Sequence, residues 1–301
     1  MQFRPGRALD SVPAPAIFVT SGLTQYAGAA IAVGLFAVLG APEVAWLRIV
    51  VAAVVLTLWR RPWRREWTAR DLGWASVFGI ALAAMNVAFY IGIQYLPLGT
   101  GVAIEFLGPV AVAAITGRGW RDRVAILLAG AGVVLLAGVT LEAVPRDDAV
   151  IGLTALLTAA ACWAGYILLG RKVAVRGEGV TSLAVAMTAG ALVFAPFLAP
   201  GSAPVLHDAG LFAAVVGVGV LSSVIPYALD QVVLRRVSTA TFSILLALLP
   251  ASATVVGAIG LGQIPTWPEL LGLLLVSSAI ALTGRQGRGR RAVAATPEPP
   301  A

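Results

Sequence analysis

Long apolar runs alternate with short polar connections along the whole chain. Ten runs of roughly 20 mostly apolar residues occupy 16–38, 42–59, 72–94, 98–117, 123–141, 150–170, 180–199, 209–231, 238–260 and 267–284. That is the length a helix needs to cross a bilayer. The connections are short and rich in Gly, Pro or Arg. The pattern predicts an all-α integral membrane protein of about ten transmembrane helices. Arg4 and Arg7 precede the first run, as they would in a signal peptide. Its apolar stretch is longer than an h-region and nine more runs follow, so it reads as a retained helix. Residues 1–15 are expected to form a short cytoplasmic segment. The tail 285–301 is basic, then rich in Pro and Ala, and is expected to be disordered.

The distribution of charge orients the helices. Of the 21 Lys and Arg residues, nineteen fall at the two termini or in alternate connections. Arg146 stands alone in the other set of connections, and Arg48 lies inside a run. The positive-inside rule then places both termini in the cytoplasm of a bacterial cell, with the chain multi-pass in the inner (plasma) membrane. The alternation also favours an even number of helices.

Composition narrows the function class. The chain is 59% hydrophobic and 12% charged, with a mean hydropathy of +0.92. An ordinary soluble domain is about a quarter charged. The pI of about 10.5 does not point to nucleic acid, because the arginines cap apolar runs rather than line one face. One cysteine, Cys162, and one histidine, His207, allow no disulfide framework, no Cys/His metal site and no evident cofactor. Cys162 reads as a small apolar filler. Scattered acids do not form the cluster an integral-membrane enzyme needs. The one lysine, Lys172, follows Arg171 in a connection, so there is no phosphate-binding loop. A carrier driven by ion or solute gradients remains, its partners being a small-molecule substrate, the bilayer and a proton, as a monomer or dimer.

Ten helices divide into five and five, and an odd number per half forces the halves into opposite orientation. The expected repeats are 16–141 and 150–284. Aligning Pro109 with Pro250 brings two short connections and two small-residue runs into register. Gly130, Gly132, Gly217 and Gly219 read as sites of close helix packing.

Ionisable groups within a membrane are costly and mark function. Arg48 and Glu105 each lie six to seven residues past the extracytoplasmic start of their runs, roughly 10 Å deep at ~1.5 Å per residue. Equal depth makes them a candidate pair. It reads either as a salt bridge joining two helices or as a site where Glu105 carries a proton or meets a substrate ammonium. Burial favours the neutral carboxyl and a neighbouring guanidinium the carboxylate, so the two effects compete. Asp230, five residues before Arg235 near the cytoplasmic end of its run, reads either as a partner of that arginine or as a gate. Asn86 and Tyr90 share a helix face. Trp163 with Tyr166, and Tyr227 three before Asp230, are further candidates for a cavity lining. Trp46, Trp59, Trp63, Trp67 and Trp267 read as interfacial anchors.

Several stretches then become familiar. These are AMNVAFYIGIQYLPLGTGVAIEFLGPVAVA (84–113), ACWAGYILLGRK (161–172), GAPEVAWLRIVVAA (40–53) and SSVIPYALDQVVLRRVSTATF (222–242). Together they resemble the EamA-type branch of the drug/metabolite transporter superfamily, and within it the bacterial threonine/homoserine exporters. The likeness spans roughly 16–284, and EFLGP is its most specific part. It implies an inverted-repeat carrier with a central cavity that exports small amino acids or related metabolites on the proton gradient. Arg48, Asn86, Tyr90, Glu105, Trp163, Tyr166, Tyr227 and Asp230 fall on matching positions. Many members carry EP and GE where this chain has Leu249-Pro250 and Gly262-Gln263, so two carboxylates are absent. Multidrug or other metabolite efflux is the alternative within the same class.

Overall fold

The computed structural model describes residues 12–116, 119–174, 179–227, 229, 233, 237 and 245–284. The tail 285–301 lies outside them. The described elements are all helical: α1 (Ala14–Leu35), α2 (Ala41–Arg60), α3 (Ala69–Tyr95), α4 (Leu98–Glu105), α5 (Leu107–Thr116), α6 (Trp120–Ala143), α7 (Arg146–Ala174), α8 (Gly179–Leu198), α9 (Ala209–Gly219), α10 (Leu249–Leu261) and α11 (Trp267–Gly284). Among the described residues, seven segments are long and apolar enough to cross a membrane: Ala14–Leu35, Ala41–Arg64, Ala69–Tyr95, Arg123–Ala143, Arg146–Leu169, Val180–Leu198 and Ala209–Tyr227. Three shorter apolar helices, Leu98–Val112, Leu246–Leu261 and Trp267–Leu282, accompany them. The protein is a multi-pass membrane protein.

A helix satisfies its own backbone, which hydrocarbon cannot do. The ends are therefore where polar residues matter. Thr68 accepts from Asp71 N–H at the start of α3. Asp208 does the same for Leu211 at the start of α9, and Glu269 folds back onto Thr266 ahead of α11. Each supplies an acceptor to an otherwise unpaired first-turn donor. Gly262, in the left-handed region at φ 67°, ends α10, as glycine tolerates.

Prolines interrupt the helices at three places. The pattern predicts one helix over 98–117, but the structure has two, broken at Phe106. Pro109 has no N–H to offer the Glu105 carbonyl four residues earlier. A 3₁₀ turn, Leu246–Leu248, precedes Pro250, and a π turn, Val220–Val224, precedes Pro226.

In the packing, α3 lies against both α7 and α8, α2 against α8, α6 against α11, and α1 against α10, while α9 leans on α1 and α2. Small residues set the closest approaches. Gly79 of α3 faces the Ala186 carbonyl of α8, and a Cβ on Gly190 would lie 2.6 Å from the Gly79 oxygen. Gly132 meets the Gly272 oxygen in the same way, whereas Gly130 and Gly217 face open space. Ile115, Phe197 and Ile259 are among the side chains left exposed, at 77–84%, which suits a lipid-facing surface. Trp46 departs from the expected anchor role. It is buried and its indole N–H donates to the Ala191 carbonyl at 2.8 Å, tying α2 to α8. Trp59, Trp63 and Trp267 are exposed.

Candidate functional site

The site is built around Arg48, on α2 and only 8% exposed. Its Nε donates to Ser223 Oγ at 2.9 Å, one Nη to the Ser222 carbonyl at 2.8 Å, and the other to Tyr90 Oη at 3.4 Å. The guanidinium carbon also lies 5.5 Å from the centre of the Tyr90 ring. A buried charge is tolerable when it is hydrogen-bonded in this way. A guanidinium carries five N–H groups, so three contacts leave it able to accept a further anion.

Local backbone geometry supplies one of these partners. Pro226 lacks the N–H that would pair with the Ser222 carbonyl in α-helical register, and the chain passes through a π turn there. The carbonyl takes the Arg48 proton instead. Helix α1 reaches this turn through Gly28, where any Cβ would collide with Ser222. Ser21, on the same helix, donates to the Pro226 carbonyl at 3.5 Å. Ser222, Ser223 and Pro226 were not singled out from the sequence. The available signal was two serines ahead of a proline in an apolar run that also contains Tyr227.

Glu105 is the last residue of α4, at the break. It and Arg48 are electrostatic neighbours, but among the described residues the arginine's hydrogen bonds go to Ser222, Ser223 and Tyr90. The Glu105 carboxyl makes no hydrogen bond or ion pair with the described residues. Glu105 is half-buried, so part of its surface stays accessible. Phe106, buried beside it, meets Trp163 edge-on at 4.6 Å. Tyr227 is also within electrostatic reach of Arg48. Arg48, Tyr90, Glu105, Trp163 and Tyr227 thus gather around one region.

The remaining candidates sit further along the helices. Asn86 is buried one turn from Tyr90, and its amide donates to the Leu82 carbonyl of its own helix at 2.8 Å. Tyr166 stacks on Phe78 at 4.4 Å, twelve residues or ~18 Å along α3 from Tyr90. Asp230 lies outside the described residues. Among the described residues no group of His, Cys, Asp and Glu is placed to hold a metal ion. The arrangement offers groups for recognition: a buried cation with spare donors, a half-buried carboxyl and aromatic side chains.

Residues 150–285 match the model of the EamA-like transporter family. The chain is 34% identical over 252 residues to the threonine/homoserine exporter RhtA of Escherichia coli and to that of Salmonella typhimurium, covering 84% of each chain. It is 28% identical over 259 residues to a protein of Streptantibioticus cattleyicolor named "Probable terminal-alkyne amino-acid exporter", covering 83% of this chain and 86% of that one. A solved crystal structure shares the fold at a TM-score of 0.59 and 17% identity, covering 92% of this chain and 98% of the other.

Proposed function

Because the chain belongs to the EamA-like transporter family and is homologous at family level to the threonine/homoserine exporters, we propose that it is a secondary-active, proton-coupled exporter of small amino acids or related metabolites. It is a transporter and not an enzyme. The observation that carries the substrate reading is the pairing of Arg48, hydrogen-bonded to Ser222, Ser223 and Tyr90, with a Glu105 carboxyl that makes no hydrogen bond among the described residues. A zwitterion needs an anion for its ammonium and a cation for its carboxylate, and these two groups offer both. The same carboxyl can exchange its role between proton and substrate, which is what antiport requires. Asp230 is assigned the cytoplasmic gate on its sequence position alone.

Alternating access is assigned to two inverted five-helix repeats, 16–141 and 150–284, within a ten-helix bundle in the inner membrane with both termini cytoplasmic. The packing supports this reading. Exchanging the halves maps the α2–α8 and α6–α11 contacts onto themselves. It maps α3–α7 onto α9–α1, and α3–α8 onto α9–α2. Pro109 and Pro250, paired in the alignment of the halves, each follow a break.

The test is labelled-threonine flux in proteoliposomes, with and without an imposed pH gradient, in competition with homoserine, serine and an aromatic cation. Saturable, gradient-dependent flux displaced by homoserine is the expected result. Flux displaced only by the aromatic cation would favour multidrug efflux, lined by Trp163 and the tyrosines. An absence of threonine flux from folded, monodisperse protein would overturn the amino-acid reading.

A further inference from the structure

A second cavity, of about 110 Å³, lies nearer the arginine-poor end of the bundle. It sits between the first turn of α4 and the α10–α11 connection. Pro97, Thr100, Thr254, Gln263, Glu269 and Leu273 contribute to its wall. Thr100 is five residues before Glu105, ~7.5 Å along α4 from the central site.

The polar groups here are arranged in two sets. Gln263 Oε1 accepts the Leu98 N–H at 2.9 Å, which leaves its amide N–H₂ without a partner among the described residues. Thr100 is 2% exposed, and its hydroxyl has no hydrogen bond among the described residues. Thr100 is one of the residues that line the cavity. The first-turn N–H groups of α4 add donors and the positive end of a helix dipole. Glu269 lines the same cavity; one of its oxygens accepts from Thr266, and the other makes no hydrogen bond among the described residues. Donors and a carboxylate around one cavity fit a small zwitterion. The volume suits several waters or an amino-acid head group.

We propose that this cavity is a second binding site for the exported zwitterion. The solute carboxylate would sit on Thr100, the Gln263 amide and the α4 N-terminus, and its ammonium on Glu269. The inference rests on the amino-acid reading above and adds a site at the exit end of the path.

The test is equilibrium binding of labelled threonine to the full-length protein in lipid nanodiscs. Wild type is expected to bind two threonines per chain. Thr100→Val, which removes the hydroxyl at constant shape, should bind one, and Thr100→Ser should restore two. Glu105→Gln should lose the central site and keep this one. Should Thr100→Val fail to fold, Gln263→Glu gives the same answer. It keeps an acceptor for Leu98 N–H but sets a negative charge against the solute carboxylate, and is expected to reduce binding to one per chain. One site in wild type, lost in Glu105→Gln and untouched by Thr100→Val or Gln263→Glu, overturns this inference alone. No binding of threonine or homoserine by folded wild type overturns it together with the amino-acid reading.

Discussion

In the proposed function, Arg48 and Glu105 divide the work by how they are bonded. The arginine is fixed from three directions, by Ser223, the Ser222 carbonyl and Tyr90, so its charge is held in place. The glutamate has no such restraint among the described residues and, in the proposed function, is the group that exchanges ligands. Glu105→Gln is therefore expected to abolish pH-driven threonine flux in proteoliposomes, and threonine–threonine exchange with it, while leaving the protein folded and monodisperse. Normal pH-driven flux in that variant would remove Glu105 from the proton path. Arg48→Lys keeps the charge but replaces a planar fork by a single ammonium. It is expected to lower stability by about 1–3 kcal/mol, read from thermal unfolding. It should also weaken threonine binding about tenfold or more, equivalent to ~1.4 kcal/mol.

At the scale of elements, breaks and close approaches are set by the smallest chemical features of the chain. Pro226 withholds one N–H and so leaves the Ser222 carbonyl to Arg48. Pro226→Ala would restore the competing donor, and is expected to cut transport with little loss of thermal stability; wild-type flux in that variant would show the proline to be incidental. The α3–α8 contact depends on Gly79 and Gly190, where an added Cβ has no room. Gly190→Ala should force the helices apart at a cost of about 1–3 kcal/mol. Gly130→Ala faces open space and should be neutral or slightly stabilising, since alanine favours helix over glycine by up to ~1 kcal/mol. Thermal melting of the two variants in one detergent makes the comparison.

The whole molecule is a bundle whose two ends differ in charge. The Pro62–Arg64 turn and its flanking arginines mark one end, and the Pro200–Leu206 turn, with none, marks the other. The proposed orientation puts the first inside the cell. Cys162 is the only cysteine, so Cys162→Ala gives a clean background for labelling. In it, Ala203→Cys should react with a membrane-impermeant maleimide on intact cells, and Glu66→Cys only after permeabilisation. The opposite pattern would invert the topology and place the second cavity at the entry end of the path.

Hydrophobic run length alone located most of the described helices to within a few residues, because a bilayer demands about 20 apolar residues and a self-satisfied backbone whatever the fold; the end of run 209–231 and the start of run 238–260 differ by more than ten residues from α9 (Ala209–Gly219) and α10 (Leu249–Leu261). Arg48 and Glu105 stand out as candidates because charge within an apolar run is costly. The sequence left three matters open. Helix 98–117 was read as continuous although Pro109 was in plain view, since a proline can kink a helix or end it and only packing decides which. Trp46 read as an interfacial anchor, but α8 supplies the Ala191 carbonyl and burial. The partners of Arg48 come from residues 42 and about 175 positions away. One-dimensional periodicity fixes which face a residue occupies but not which helix that face meets. Tertiary structure alone brought α1, α2, α3 and the Pro226 turn together, and gave the arginine its neighbours.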